Sequence, residues 1–152
     1  MDADQQRSWR ALMMGMTLLN DRLDADLRAR FDISLPEYEI LVRLSENSGA
    51  MRMAQLADSL AHSRSRITHT ITRMQRAELV ERRNADEDGR GVVAALTDRG
   101  FERLREAAPV HVNGVRDYLI DLVDPTDFAA LGRAMNTVSD HLVGDRPGIE
   151  MR

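Results

Sequence analysis

The sequence predicts a mainly α-helical fold with a small β-hairpin wing, in which a winged helix-turn-helix lobe is joined to a helical dimerisation region. Apolar residues recur at three- and four-residue steps over several long stretches, a spacing typical of amphipathic helices. Two of the shorter predicted helices are separated by only three residues, as in a helix-turn-helix. Two strand-like runs around a polar, glycine-containing segment follow directly, and they predict a β-hairpin.

The composition indicates one soluble globular unit. With 152 residues, 43% of them hydrophobic and 30% charged, the chain is long enough for one domain with its own core. Cysteine is absent from the sequence, which excludes disulfides, thiolate metal sites and a thiol redox switch. The sequence contains no signal-peptide pattern and no run of about 18 apolar residues that would span a membrane. We therefore expect a cytoplasmic protein without a membrane partner.

The first predicted helix covers residues 5–31 and is longer than a small domain needs. Its apolar positions follow helical spacing and are Trp9, Leu12, Met13, Met16, Leu19, Leu23 and Leu27. A second helix is expected to begin around Ser34, with Pro36 at its first position, and to end at residues 47–49. Residues 51–53 are a possible short strand.

Residues 54–77 carry the helix-turn-helix pattern. A short helix over residues 54–60 is followed by a tight turn, and Ser63 is a good N-cap for a helix over residues 64–77. On that helix Ile67, Ile71 and Met74 fall at i, i+4 and i+7, which predicts one narrow buried stripe. The opposite face is polar and carries Arg64, Ser65, Thr68, His69, Thr72, Arg73 and Arg76.

The charge distribution favours nucleic-acid binding by this segment. The whole chain has a net charge of −4, which by itself argues against such a partner. Residues 62–83, however, contain six arginines and two glutamates, so the net charge of this stretch is 6 − 2 = +4. All 21 basic residues are arginine, whose planar guanidinium can donate two hydrogen bonds to a phosphate or a guanine edge.

The predicted hairpin adds a second DNA contact. Strand-like residues 79–83 and 92–96 enclose a polar segment in which Arg90 stands between two glycines. An arginine on such a tip suits the narrow minor groove, where the negative potential is enhanced. A polar helix face alone is usually a solvated surface. The order of short helix, turn, capped helix and hairpin is what indicates DNA binding.

The last two predicted helices indicate a dimer. One runs from residue 98 towards residue 122 with an expected kink at Pro109, and the other covers residues 125–143. The second carries a seam typical of helix pairing, formed by Phe128, Leu131, Met135, Val138 and Leu142. Together with residues 5–31, these helices carry more apolar surface than one small lobe covers, so we expect a two-fold homodimer.

The sequence offers no catalytic or metal-binding constellation. The four histidines lack a metal-ligand spacing, and neither a serine nucleophile elbow nor a phosphate-binding loop is present. His62 and His69 are either DNA contacts or ordinary surface residues. His111, on a mostly apolar helix, is either a satisfied core histidine or part of a ligand pocket. We therefore expect neither an enzyme nor a bound cofactor or metal.

The segment from residue 60 to residue 100 resembles the MarR-type transcriptional regulators, and the resemblance extends over nearly the whole chain. Its most specific part is the match to the family's Asp-x-Arg…Leu-Thr-x-x-Gly pattern, made by Asp88, Arg90, Leu96, Thr97 and Gly100. The resemblance implies a single MarR-like domain over residues 1–152. Within it, residues 34–97 form the winged lobe and residues 5–31 and 98–143 the dimerisation helices.

The resemblance also implies a function and a set of sites. It implies a homodimeric repressor that binds a pseudo-palindromic operator on double-stranded DNA and responds to a ligand. The expected major-groove residues are Ser63, Arg64, Ser65, Arg66, Thr68, His69 and Thr72. Arg73 and Arg76 are expected at phosphates and Arg90 in the minor groove, with Asp88 holding a neighbouring arginine.

A small aromatic effector is the second implied partner. It would bind between the lobe and the dimerisation helices, near Trp9, Met13, Met16, Tyr38 and His111, although a solid core is the commoner explanation of such residues. The alternative function is a helical dimeric adaptor whose winged helix contacts protein instead of DNA.

Two residues depart from the family pattern. Glu78 stands where a glycine is common, just after the recognition helix. Either the helix ends differently there, or a left-handed glutamate costs about 1 kcal/mol. Gly89 replaces a frequent second wing arginine, which would remove a phosphate contact.

Overall fold

The computed structural model describes residues 1–84 and 91–143, which form helices arranged around a small sheet. The elements in chain order are α1 (Ala3–Phe31), α2 (Leu35–Glu46), β1 (Ala50–Arg52), α3 (Met53–Ser59), α4 (Arg64–Arg76), β2 (Val80–Asn84), β3 (Val92–Leu96), α5 (Asp98–Tyr118), a 3-10 turn (Ile120–Leu122) and α6 (Pro125–Val143). The predicted fold class is confirmed.

The sheet has three antiparallel strands in the order β1-β3-β2, one strand more than the predicted hairpin. In the β2–β3 pair, Val80 lies opposite Leu96 and Asn84 opposite Val92. The added strand β1 pairs with the other edge of β3, with Ala50 opposite Ala95. The wing, which we define as β2, β3 and the residues between them, is therefore held to the lobe on one side by β1.

Side-chain caps fix where the helices of the lobe begin. The Ser34 hydroxyl caps α2, and Glu37 completes a capping box there, which makes Pro36 the second residue of the helix and not the first as predicted. Ser63 caps α4 as predicted, because its hydroxyl accepts a hydrogen bond from the Arg66 amide at 3.2 Å.

The core of the lobe lies under the recognition helix, α4. Ile67, Ile71 and Met74 each have a relative exposure of 0%, so the predicted apolar stripe is the buried face of α4. Aliphatic side chains from the surrounding helices and strands complete this core, and they include Leu27, Ile33, Ile40, Leu41, Leu44, Leu56, Leu79, Val80 and Ala94. The burial of this stripe leaves the polar face of α4 outward.

The junction between α4 and α5 explains the Thr-x-x-Gly spacing. The Thr97 hydroxyl caps α5 at the Gly100 amide and also lies 2.7 Å from the Glu78 carbonyl oxygen. A Cβ at Gly100 would lie 2.0 Å from the Leu79 carbonyl oxygen, so no larger residue fits without a shift of the backbone. The start of α5 is thereby fixed against the end of α4.

The remaining helices leave much apolar surface uncovered within one chain. α1 buries Leu23 and Leu27 near its C-terminal end, whereas Trp9, Met13 and Met16 in its N-terminal half are exposed. No residue of α6 is buried. Within the described ranges, none of the helices combines the length and apolar character needed to cross a membrane.

Candidate DNA-binding surface

The exposed side of α4 brings together most of the predicted major-groove residues. This side of α4 includes the cap, the first turn and later polar positions. The residues exposed to solvent there are Ser63, Arg64, Ser65, Arg66, Thr68, His69 and Arg76. The first turn contains no acidic residue, and its backbone amides carry the positive end of the helix dipole. An anionic partner therefore meets both the arginine side chains and the helix N-terminus.

Arg73 is used inside the protein. Its Nε donates to Glu37 Oε1 at 2.7 Å, and its Nη2 donates to Ser34 Oγ at 3.0 Å. The Glu37 side chain is only 7% exposed, so Arg73 neutralises a nearly buried carboxylate. Its predicted phosphate contact remains a prediction, but in the free protein Arg73 joins the C-terminal half of α4 to the start of α2.

Thr72 is also occupied within the fold. Its hydroxyl donates to the Thr68 carbonyl oxygen at 2.8 Å and accepts a hydrogen bond from Arg82 Nη2 at 2.7 Å. Thr72 is half-buried, in contrast to Thr68 and His69. Its predicted role as a base-reading residue stays a prediction, and the sequence analysis did not single out its partner, Arg82. The only signal for Arg82 was its place in the basic stretch.

A groove of about 480 Å³ separates α4 from the sheet. Its lining includes three arginines, Arg52, Arg64 and Arg82, and the apolar residues Met53 and Val92. The groove continues the basic character of the α4 face towards the wing. Asp88 and Arg90, the predicted wing contacts, lie outside the described residues together with Gly89, and their roles stay predictions.

A second cavity, also of about 480 Å³, lies between α2, the α3–α4 turn and α5. Tyr38 and His111 meet there with ring centroids 4.5 Å apart. The other lining residues are Glu39, Val42, Arg43, Glu46, Ser59, Leu60 and His62. His62 therefore faces this cavity, while His69 faces outward on α4.

The cavity contains only part of the predicted effector site. Tyr38 and His111 line it, but Trp9, Met13 and Met16 do not and are exposed on α1. The His111 Nδ1 is buried and has no hydrogen-bond partner among the described residues. Burial lowers the pKa of His111, which favours the neutral imidazole at pH 7. A neutral His111 ring beside Tyr38 gives the cavity an uncharged aromatic wall.

Residues 1–84 and 91–143 contain no group of three or more His, Cys, Asp or Glu side chains arranged to bind a metal ion. The groove beside α4 has an arginine-rich lining, whereas the cavity at Tyr38 and His111 has a mixed aromatic and polar lining.

Comparison with known proteins identifies the family. The crystal structure of AbsC, a MarR family transcriptional regulator from Streptomyces coelicolor, is 42% identical in sequence and superposes with a TM-score of 0.90. The match covers 95% of this chain and 98% of AbsC. The chain belongs to the MarR family. It is thus a DNA-binding transcriptional regulator and not an enzyme, and the resemblance seen in the sequence is confirmed.

Further relatives agree with the MarR assignment. The MarR family model matches residues 33–92, which span the helix-turn-helix and most of the described wing. Sco3205, a MarR family regulator from Streptomyces coelicolor solved in complex with DNA, is 34% identical with a TM-score of 0.92, over 100% of this chain and 99% of its own. The transcriptional regulator PecS from Dickeya dadantii is 27% identical over 86% of this MarR chain and 80% of PecS.

Proposed function

We propose that this MarR-family chain acts as a homodimer that binds a pseudo-palindromic operator and represses transcription by occluding a promoter. The observation that carries the proposal is the division of α4 into a fully buried apolar stripe and an exposed arginine-rich face. In a winged helix such a face enters the major groove. The wing lies beside it and would reach the flanking backbone or minor groove.

The electrostatics support DNA as the partner. The basic stretch of residues 62–83 carries a net charge of +4 in a chain of net charge −4, so positive potential is concentrated on one side. The 34% identical relative solved with DNA supports the same binding mode here. A cytoplasmic location belongs to the same proposal, because the protein has to reach DNA.

The unburied C-terminal helix supports the homodimer. Met135, Val138 and Leu142 of α6 are exposed in the single chain although they lie on one helical stripe. A two-fold partner would cover this stripe and the exposed part of α1, with the lobe at residues 34–97 outside the interface. Two copies of α4 would then meet half-sites about 10 bp apart.

A small aromatic effector is the second part of the proposal. The cavity lined by Tyr38 and His111 lies between the lobe and α5, so a ligand there would touch both parts of the chain. Its volume lies in the range of small-molecule sites, and the rings of Tyr38 and His111 give it an aromatic wall. Ligand binding would change DNA affinity by favouring one spacing of the two lobes.

Selection from random duplexes tests the proposed function. We expect enrichment of a palindrome whose binding weakens with salt, with a log–log slope of about −0.9 for each phosphate neutralised. Arg64→Gln should weaken binding by about 1–3 kcal/mol and relax the preference at one base pair in each half-site. Arg105→Gln is the matched control, because it removes the same charge from a side chain on α5 that is 71% exposed.

Two outcomes would contradict the proposal. Failure to enrich any duplex at low salt would exclude sequence-specific DNA binding. Equal effects of the Arg64 and Arg105 variants would mean that α4 is not the reading surface. If no duplex is enriched but the exposed α4 face captures a protein partner, the adaptor function would replace the present one.

A further inference from the structure

We propose that Arg82 is a positioning residue that holds the wing at a fixed angle to the recognition helix. Arg82 belongs to β2, where it lies opposite Ala94 of β3, and its side chain crosses to α4. The inference rests on the proposed function, because its effect would appear in how α4 and the wing engage DNA together.

One guanidinium nitrogen of Arg82 donates to two acceptors on α4. Arg82 Nη2 donates to the Thr68 carbonyl oxygen at 2.9 Å and to the Thr72 hydroxyl at 2.7 Å. These two acceptors lie one helical turn apart and are linked to each other, because the Thr72 hydroxyl donates to the Thr68 carbonyl oxygen. The three groups form a closed set of hydrogen bonds between β2 and α4.

The environment of Arg82 differs from that of its neighbour. The Arg83 side chain is 63% exposed and pairs with Glu81 on the same strand. The Arg82 Nε, in contrast, is buried and has no hydrogen-bond partner within residues 1–84 and 91–143. The Nε of Arg82 thus lies in the contact between β2 and α4, although the residue as a whole is half-buried and also lines the groove beside α4.

A rigid seam matters because the two DNA-binding parts must fit at once. A binding constellation is effective only when supporting hydrogen bonds hold it close to its productive geometry. The α4 face and the wing address different grooves of the same duplex, so a change in the angle between them would weaken one contact whenever the other forms. Arg82 fixes that angle through bonds to two residues of α4.

Arg82→Gln and Arg83→Gln form the matched pair for the test, because each removes one positive charge from β2. We expect Arg82→Gln to weaken binding to the selected duplex about tenfold, as loss of hydrogen bonds from a charged donor does, while the salt slope stays unchanged. In hydroxyl-radical footprinting, the DNA beside the wing should lose its protection, whereas the DNA beside α4 should keep it. Arg83→Gln should weaken binding by less than about threefold.

Variants of Thr72 provide an independent test that leaves the charge of the protein unaltered. Thr72→Val removes the hydroxyl acceptor and should produce the same loss of wing protection, whereas Thr72→Ser keeps the hydroxyl and should retain the wing protection. The double variant, Arg82→Gln with Thr72→Val, should be no weaker than the worse single variant, because both changes break the same set of bonds. If Arg82→Gln fails to fold, the Thr72→Val and Thr72→Ser pair decides.

The outcomes separate this inference from the proposed function. A wild-type protein that selects no duplex would overturn both. A wild type that binds while Arg82→Gln binds equally well would overturn the inference alone. Two further results would overturn the inference alone. A salt slope smaller by about 0.9 in Arg82→Gln would make Arg82 a phosphate contact. Additive losses of DNA affinity in the double variant would show that the two changes do not break the same set of bonds.

Discussion

Glu78 has a φ of 61°, in the left-handed region that favours glycine. It lies just after α4, where the Leu79 amide donates to the Met74 carbonyl oxygen and the Glu78 amide to the Gln75 carbonyl oxygen. This is the Schellman arrangement that commonly ends a helix. Of the two alternatives derived from the sequence, the left-handed glutamate is therefore the one that occurs.

We expect Glu78→Gly to stabilise the protein by about 1 kcal/mol, because glycine adopts this conformation without strain. The exposed ion pair of Glu78 with Arg99 would be lost, but such pairs contribute little. In thermal unfolding the midpoint should rise by about 2–4 °C. Glu78→Ala is the control, because it removes the ion pair and keeps the strain, and it should not raise the midpoint. A lower midpoint for Glu78→Gly would mean that the ion pair outweighs the strain.

At the level of single residues, the sequence predicted the roles that depend only on nearby residues, such as helix caps and buried stripes. Ser63 is a cap, and Ile67, Ile71 and Met74 form a buried stripe, because spacing and side-chain chemistry alone specify these roles. The hydrogen-bond partners of the remaining polar residues could not be predicted from nearby residues. Arg73 with Glu37 and Arg82 with Thr72 are 36 and 10 residues apart, and only the tertiary fold brings each pair together.

Among the helices and strands, α6 is the one whose apolar side is most clearly left uncovered in the single chain. Its apolar stripe is uncovered in the single chain and is the surface that the proposed homodimer would bury. The sequence predicted the limits of α6 closely, because a proline and an acidic first turn mark its start. It marked residues 51–53 as a possible strand, which overlaps β1, but it did not predict the pairing of β1 with β3, because three residues carry too short a pattern.

We expect Val138→Asp to convert the dimer into monomers, because a charge on the apolar stripe would be desolvated in the interface. Sedimentation velocity would show the change as a halved mass, and DNA binding should weaken because the two half-sites lose their linkage. The control is Ala129→Asp, an exposed position nine residues earlier and half a turn out of phase with the stripe. A Val138→Asp protein that stays dimeric would move the interface away from α6.

At the scale of the whole molecule, the cavity at Tyr38 and His111 links the lobe to the helices that support it. Its walls come from α2, the α3–α4 turn and α5, so its shape depends on how these elements are arranged. The sequence grouped two of its residues with Trp9, Met13 and Met16, which in the single chain do not line this cavity and are exposed on α1. The spacing of α1 indicated an apolar face but not what that face contacts.

We expect members of a panel of benzoates and phenols to bind this cavity, raise the unfolding midpoint and lower DNA affinity. A ligand present at 100 times its Kd stabilises the folded protein by about 2.7 kcal/mol. His111→Ala should abolish the shift because it removes the ring that contacts Tyr38, whereas Asn113→Ala, an exposed change on the same helix, should not. The effector site is ruled out if ligands stabilise both variants equally, or if none in the panel shifts the wild type.

The absence of buried residues in α6 also bears on how much of this protein a cell can keep. A helix that gains its burial from a second copy is stabilised by mass action, so its order depends on protein concentration. If the proposed homodimer forms, an unassembled copy exposes the apolar stripe of α6, a feature on which chaperones and proteases act. Newly made subunits without a partner would then be removed faster than assembled ones, so the regulator would accumulate only above the concentration at which it assembles.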